Sequence, residues 1–282
     1  HVLDMEHLEA IVEEVPEKAW ILAKAYCPGP LTMIFRKNER VPYETTGGLD
    51  TVAVRIPDHP VARALIASCG GYIAAPSANT SGRPSPTTAQ HVAEDLDGKI
   101  DMIIDGGQVR IGLESTIVDF TEDIPCVLRP GYINLAMLRE CLGEVKMDPG
   151  LMKDDPSVRP KAPGMRYRHY APKATMTIYQ GEYDKVAAAI NDTISQVQGD
   201  GKKAAVLCVS EHAGDYHCDN ISILGSMSSE EDIARHLYGS LRDFDEAGVD
   251  IICSEAFDFE QMGEAIMNRL LKAAGHRVIL CE

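Results

Sequence analysis

The sequence contains no uninterrupted apolar run of about 18 residues, the length that a membrane-spanning helix needs. It has eight cysteines, but none of them are spaced as Cys-x-x-Cys, which argues against a zinc finger and a disulfide scaffold. Walker and Gly-x-Gly-x-x-Gly motifs are absent as well. The first residues are acidic rather than apolar, so nothing there marks export. These absences predict a cytoplasmic protein with reduced thiols and no membrane association.

Positive charge is scarce. Lysine and arginine total 27 against 43 acidic residues, which gives a net charge of -16. A surface of this sign opposes binding to phosphate backbones, so we expect weak or no direct contact with nucleic acid. The composition, 45% hydrophobic and 25% charged, is that of a folded globular protein. At about 150 residues per domain, 282 residues predict roughly two domains.

Hydrophobic periodicity divides the chain into alternating helices and short strands through about residue 147, which predicts an α/β domain over 1–147. One helix is expected over 5–26, and another over 61–68 with Asp58 as a possible N-cap. Further helices are expected from 87 and over 134–142. The predicted strands cover 31–35, 51–55, 72–75, 102–104, 115–120 and 127–129.

Residues 148–173 contain five prolines and are predicted to form a linker. Within it, 159–173 carries five basic residues and His169 but no acidic residue. Such a segment suits a hinged lid over a polyanion. An ordered linker with salt bridges to an acidic body is the alternative interpretation.

Residues 174–282 predict a second, smaller α/β domain. Helices are expected over 182–198, 230–247 and 263–274. Strands are expected over 176–179, 204–209, 221–224, 250–253 and 277–280. The order of strands and helices is typical of a doubly wound, Rossmann-like sheet.

The loop from Pro76 to Pro86 is small, polar and rich in proline. Its serine hydroxyls, the amide of Asn79 and its backbone NH groups suit phosphate or carboxylate oxygens. A structural turn is the alternative. The turn 112–116, which leads into a strand, is a weaker candidate because serine and threonine are common there.

Arg55 and Arg129 are isolated arginines, each at the carboxyl end of a predicted strand. Ligands bind at this edge in open α/β sheets, and the guanidinium fork suits carboxylate or phosphate. The alternative for each is an ordinary surface arginine. The histidines lack the spacing of metal ligands, so no metal site is predicted. No residue is assigned as an acid, base or nucleophile.

Five ordered motifs resemble the YrdC-type domain of threonylcarbamoyl-AMP synthases. They are Cys27-Pro28-Gly29-Pro30-Leu31-Thr32, the segment Gly48 to Pro57, the segment Ala75-Pro76-Ser77-Ala78-Asn79-Thr80-Ser81-Gly82, the segment Glu114 to Asp119, and Leu128-Arg129-Pro130-Gly131. The linker 163–172 and the helix around Arg269 resemble the two-domain branch of that family. The resemblance implies a YrdC-like twisted mixed sheet joined to a smaller Rossmann-like domain.

The resemblance also implies a nucleotidyltransferase that converts L-threonine, bicarbonate and ATP into threonylcarbamoyl-AMP and pyrophosphate, for a transferase that modifies a tRNA adenosine. The implied threonine-binding residues are His1, Arg55, Ala75 and Ser115. The implied ATP-binding residues are Thr51, Ser77, Ser85 and Arg129, together with Tyr167 or His169 from the linker. Mg²⁺ is implied on the triphosphate.

Two motifs of the family, Thr-Val-Tyr-Gly-Leu and Lys-Gly-Arg-Pro, precede the histidine that His1 matches and do not occur in the sequence. A polypeptide that began at His1 is therefore expected to lack phosphate ligands and useful activity. Two other classes stay open at this point. One is a YrdC-type protein that binds double-stranded RNA without catalysis, which the net charge disfavours. The other is a carbamoyltransferase, whose zinc-finger cysteines are missing.

Overall fold

The computed structural model describes residues 1–151 and 170–282. The elements of the first range are, in order, α1 (Met5–Glu9), α2 (Glu17–Tyr26), β1 (Leu31–Arg36), α3 (Tyr43–Thr46), β2 (Thr51–Arg55), α4 (Pro60–Ser68), α5 (Ala89–Leu96), β3 (Thr116–Asp119), β4 (Cys126–Arg129), α6 (Leu135–Leu142) and β5 (Lys146–Met147), then the 3₁₀ turn Pro149–Leu151. Those of the second range are β6 (Thr175–Gly181), α7 (Tyr183–Gly199), β7 (Ala204–Cys208), the 3₁₀ turn Ala213–Asp215, β8 (Asn220–Ile223), α8 (Glu230–Ala247), β9 (Ile251–Glu255), α9 (Gly263–Ala274) and β10 (Val278–Cys281).

The chain folds into two compact units. Of the described residues, 1–76 and 114–151 form the first, and 77–113 and 170–282 form the second. This grouping differs from the predicted division, in which 1–147 is one domain and 148–173 a linker before 174–282. The difference arises because the segment 77–113 is bonded to α8.

The first unit is built on a mixed sheet of strand order β2-β1-β3-β4-β5. Strand β1 is antiparallel to β2 and parallel to β3, and β4 is antiparallel to β3 and parallel to β5. Helices α2 and α6 pack over one face, where Leu22, Phe35 and Leu138 belong to the same buried core. The predicted mixed sheet is confirmed.

The second unit contains a five-stranded sheet of order β10-β6-β9-β7-β8. All its described neighbours are parallel. Strand β7 is buried along its whole length, as expected for a strand covered on both faces. Its side chains share a core with Val186, Ile190 and Ile194 of α7. The predicted doubly wound sheet is thus confirmed, with every expected strand and helix of 174–282 in place.

The predicted helix over 5–26 is wrong in its middle, because the structure contains two helices, α1 and α2. Pro16 stands at the N-cap of α2. In the interruption, the side-chain amide of Asn38 donates to the carbonyls of Ala10 and Val12, at 3.1 and 3.2 Å. Val12 also forms a bridge with Lys37. Contacts with a distant loop therefore replace helical hydrogen bonds that the apolar spacing had favoured.

Two predicted strands do not form. Residues 102–104 have no strand partner among the described residues, and Met102 is 74% exposed. The segment 72–75 forms a single bridge, between Tyr72 and Val2, and is not a buried strand. An apolar run becomes a strand only where a neighbouring backbone accepts its hydrogen bonds. A smaller correction concerns α4, whose N-cap is His59 rather than Asp58.

The described helices are all too short or too polar to cross a membrane. The eight cysteines are free thiols.

Candidate functional site

The two arginines selected from the sequence lie at the same edge of the first sheet. Arg55, the last residue of β2, pairs with Thr32 near the start of β1. Thr32 pairs with Ile117 near the start of β3, and Ile117 pairs with Arg129, the last residue of β4. Because β1 and β3 are parallel to each other and antiparallel to β2 and β4, two strand ends and two strand starts lie in one row.

Three of the polar side chains at this edge form a buried chain of hydrogen bonds. The hydroxyls of Thr32 and Ser115 lie 2.7 Å apart. Arg129 donates from Nε to the Ser115 carbonyl at 3.0 Å and from Nη2 to the Ser115 hydroxyl at 3.3 Å. All three residues are buried. Because each group restricts its neighbour, the guanidinium and the two hydroxyls are held in a fixed arrangement.

Arg55 is fixed on the other side of the row by the motif loop 27–30. Its Nε donates to the carbonyl of Gly29 at 2.9 Å, and the amide of Gly29 donates to Ile56 at 2.9 Å. Burial lowers the pKa of Arg55, and the nearby charge of Arg129 lowers it further. Burial also raises the pKa of the Cys27 thiol to about 11, against the opposing effect of Arg55.

The arrangement favours binding of an anion. Two guanidinium groups lie at this edge, and repulsion from the charge of Arg129 adds to the effect of burial in lowering the pKa of Arg55. A carboxylate or phosphate placed between them would relieve this repulsion and accept charge-assisted hydrogen bonds. The hydroxyls of Thr32 and Ser115 add groups that can donate to or accept from a small polar ligand.

Gly131, which follows β4, shows why a glycine stands in the Pro130-Gly131 motif. A Cβ atom at this position would lie 2.6 Å from the backbone nitrogen of Thr116 and 2.8 Å from its hydroxyl. The Thr116 hydroxyl already donates to Ile133 at 2.8 Å. The absence of a side chain lets the turn after β4 pack against the start of β3, next to Ser115.

We expect Gly131→Ala to lower the free energy of unfolding by about 1–3 kcal/mol, because overpacking in a buried turn forces backbone shifts. The control is Gly199→Ala, at the end of α7, where a Cβ meets nothing within 4 Å. Urea denaturation checks both variants. Equal midpoints for Gly131→Ala and the unmodified protein would contradict the close approach.

Thr32→Val tests the hydroxyl chain. It keeps the side-chain volume but removes the partner of Ser115, so the free energy of unfolding should fall by about 1 kcal/mol. Urea denaturation measures the change. Thr45→Val is the control, since Thr45 is exposed in α3. An unchanged midpoint in Thr32→Val would contradict a stabilising hydrogen bond between Thr32 and Ser115.

The sequence interpretation missed Thr32. The available signal was a single polar residue inside the buried run 31–35, directly after the Pro28-Gly29-Pro30 turn. A hydroxyl in such a run is buried and therefore needs a partner. Its partner, Ser115, lies 83 positions away, and a single sequence does not reveal that pairing.

The remaining predicted threonine-site residues also belong to the first unit. The backbone of His1 is paired with that of Ile73, through bonds of 2.7 and 2.9 Å, and the amide of Val2 donates to the Arg55 carbonyl at 3.0 Å. His1 is thus beside the end of β2. Ala75 is exposed two residues beyond Ile73.

The predicted ATP-site residues are more dispersed. Thr51 pairs with Arg36 at the opposite end of β2, roughly 13 Å from Arg55 at about 3.3 Å per residue. The structure therefore does not bring Thr51 next to Arg129. Ser77 and Ser85 belong to the second compact unit. Tyr167 and His169, like the lid predicted over 159–173 in most of its length, lie outside the described residues.

The predicted binding loop 76–86 folds around one buried carboxylate. The amide of Thr80 donates to Asp95 at 2.9 Å, and Arg83 forms an ion pair with the same side chain. Asn79 donates within the loop to the carbonyls of Thr80 and Arg83, at 2.9 and 3.3 Å. The loop is therefore irregular in backbone but specifically hydrogen-bonded.

Comparison with known proteins identifies the family. A family model described as "Telomere recombination" matches residues 1–131, and one described as "Threonylcarbamoyl-AMP synthase, C-terminal domain" matches residues 133–275. A Pyrococcus abyssi threonylcarbamoyl-AMP synthase is 47% identical over 99% of this chain and 80% of its own length. The chain belongs to the threonylcarbamoyl-AMP synthase family.

Other members of the family are similar to this chain over nearly its whole length. A Bacillus subtilis threonylcarbamoyl-AMP synthase is 46% identical over 99% of this chain and 79% of its own length. The crystal structure of P. abyssi Sua5 complexed with L-threonine has a TM-score of 0.94 and 46% identity, over 100% of this chain and 81% of that one. The predicted family, two-part α/β fold and nucleotidyltransferase class are confirmed, and the two alternative classes receive no support.

Proposed function

We propose that the chain forms threonylcarbamoyl-AMP and pyrophosphate from L-threonine, bicarbonate and ATP. The observation that carries this proposal is the row of Arg55, Thr32, Ser115 and Arg129 at one sheet edge, where hydrogen bonds hold two guanidinium groups and two hydroxyls. The substrates carry one carboxylate and a triphosphate, and each arginine can receive one of these anions. The family relationship supports the same assignment.

In this mechanism Arg55 binds the threonine carboxylate, and Ser115, held by Thr32, orients the amino acid. His1 and the backbone at Ala75 complete the threonine site. Arg129 stabilises charge on the phosphates, and Ser77, Ser85 and Thr51 bind other parts of ATP, with Tyr167 or His169 from the linker. Threonine's amine first forms a carbamate with bicarbonate, which releases water. A carbamate oxygen then attacks the α-phosphorus and pyrophosphate leaves.

The residues contribute positioning and charge stabilisation rather than proton transfer. Among the described residues, no cluster of His, Cys, Asp and Glu side chains could hold a metal ion alone. We therefore propose that Mg²⁺ binds chiefly to the phosphates of ATP, which is the mode this cation favours. There it would neutralise phosphate charge.

The product is a reactive mixed anhydride, which fits consumption by a transferase that modifies tRNA. The cytoplasmic location stays a prediction from the pattern of cysteines.

A pyrophosphate-release assay on the full-length protein tests the proposed function. Release should require ATP, threonine and bicarbonate together, and serine should replace threonine poorly. Release that is unaffected by omitting threonine would contradict the proposal.

A further inference from the structure

Helix α8 is hydrogen-bonded to the predicted ATP-binding loop, and to the carboxylate around which it folds, through one buried arginine. Arg242 is 3% exposed. Its Nη2 and Nε donate to the carbonyl of Pro84 at 2.7 and 3.1 Å. Its Nη2 and Nη1 donate to the two carboxylate oxygens of Asp95 at 3.0 and 3.2 Å. A single planar fork therefore fixes both the loop backbone and the carboxylate around which the loop folds.

Asp95 connects Arg242 to the rest of the loop through its contacts with Thr80 and Arg83. Burial alone would raise its pKa, but hydrogen bonds from Arg242 and from the Thr80 amide outweigh burial, and the pKa of Asp95 is lowered. The carboxylate thus stays charged and pairs with Arg83 inside the loop. Ser85, one of the predicted ATP ligands, directly follows the carbonyl that Arg242 binds.

A second residue of α8, Asp245, lies one turn further along and extends the contact. It accepts the amide of Lys173 at 2.6 Å, and its other oxygen is 4.0 Å from Nη2 of Arg83. The amide of Ala171 donates to the carbonyl of Gly82 at 2.9 Å. The loop is therefore bonded both to α8 and to the residues that end the linker.

These contacts join the two parts of the sequence that the two family models match, since the loop belongs to the first and α8 to the second. Buried ion pairs contribute little to stability relative to apolar packing, because both charges lose hydration. The ion pair between Arg242 and Asp95 instead holds the loop backbone and the carboxylate in one relative arrangement. Among the described residues, Asn79 Oδ1, Arg83 Nε and Asp245 Oδ2 are buried without a hydrogen-bond partner, and all three belong to the loop or to its contact with α8.

We propose that Arg242 and Asp245 are positioning residues through which the C-terminal part of the chain holds the loop 77–86 in its ATP-binding geometry. This inference rests on the proposed function, because it takes Ser77 and Ser85 as ATP ligands. It gives the C-terminal domain a role in nucleotide affinity, although neither residue touches the nucleotide.

The first test measures the loop without substrates. Hydrogen–deuterium exchange is compared in the full-length protein and in Arg242→Gln, which keeps polarity but loses the charge and the fork. The amides of Thr80, Ser81, Gly82, Arg83 and Ser85 should exchange about tenfold faster in the variant, while those of β7 stay protected. Ile190→Ala, a core variant of the same unit, controls for general destabilisation. If the loop amides exchange at the same rate in a folded Arg242→Gln protein, Arg242 does not order the loop and the inference is overturned.

The second test separates the substrates. Arg242→Gln should raise the KM for ATP about tenfold or more, since small displacements of positioning groups have large kinetic effects. Its Kd for threonine should stay within about twofold of the unmodified value. Arg242→Lys keeps the charge but not the planar fork, so its KM for ATP should lie between those of the unmodified protein and Arg242→Gln. Asp245→Asn should raise the KM for ATP less than Arg242→Gln.

The outcomes distinguish the two proposals. Equal losses of ATP and threonine affinity in Arg242→Gln would show a merely structural role and overturn the inference. Faster loop exchange with unchanged KM for ATP would overturn it too. An unmodified full-length protein that fails to bind ATP would instead overturn the proposed function, and the exchange experiment would still decide whether α8 orders the loop.

Discussion

Arg55→Ala in the full-length protein is expected to weaken threonine binding by about 2–4 kcal/mol, or roughly 30- to 700-fold, because a charge-assisted contact to the carboxylate is lost. ATP affinity should change much less. The expectation follows from the position of Arg55 at the end of β2, where the Gly29 carbonyl fixes its Nε. Calorimetric titration with threonine and, separately, with ATP measures both affinities.

Arg36→Ala is the matched control for this experiment. Arg36 is an exposed arginine at the opposite end of the same strand pair, where it faces Thr51. Threonine affinity should be unchanged in this variant. If Arg55→Ala binds threonine as tightly as the control does, the guanidinium at this edge does not hold the carboxylate and the threonine site lies elsewhere.

Arg129→Met should reduce pyrophosphate release by about 100-fold or more, because a group that stabilises charge in the transition state is removed. Methionine fills similar space but cannot donate to Ser115, so threonine affinity should also fall, by less than in Arg55→Ala. Release is measured at saturating threonine, so the loss reports on the phosphate chemistry. Arg139→Met, on the exposed side of α6, is the control.

A loss of activity in Arg129→Met would lack meaning if the variant were unfolded. Circular dichroism and thermal unfolding therefore accompany the assay. A folded Arg129→Met protein that retains more than about a tenth of the activity would contradict the assigned role of this guanidinium.

The sequence was sufficient where local pattern and tertiary structure agree. Strand 51–55 was predicted with its observed bounds because buried Val52 and Val54 alternate with Ala53. The helices and strands of 174–282 were predicted because each apolar segment ends at a glycine or a polar turn. The strand-end positions of Arg55 and Arg129 followed from the same patterns.

Local sequence pattern does not predict that the site residues of four different strands lie together at one edge of the sheet. This arrangement depends on the register that sets Arg55 opposite Thr32 and Ile117 opposite Arg129. The break between α1 and α2 likewise depends on Asn38, which bonds across 26 and 28 positions. Such pairings are fixed by packing between distant segments, and a single sequence carries no direct signal for them.

The association of 77–113 with α8 is the clearest case. Arg242 and Asp95 are 147 positions apart, and each alone resembles a charged residue on an amphipathic helix. Their burial follows only when the two helices meet. The predicted boundary at 147 was drawn from composition, which reports where the chain is rich in proline but not which segments pack together.

Labelled bicarbonate tests most directly whether this chain joins threonine, bicarbonate and ATP into one product, as we propose. The full-length protein is incubated with ATP, L-threonine and ¹³C-bicarbonate, and the nucleotides are analysed at once by mass spectrometry. We expect an AMP adduct that contains one threonine and one ¹³C atom, formed in equal amount with pyrophosphate and strongly reduced in Arg55→Ala. An AMP adduct without the label, or ATP turnover without any threonine-containing nucleotide, would contradict the proposed function.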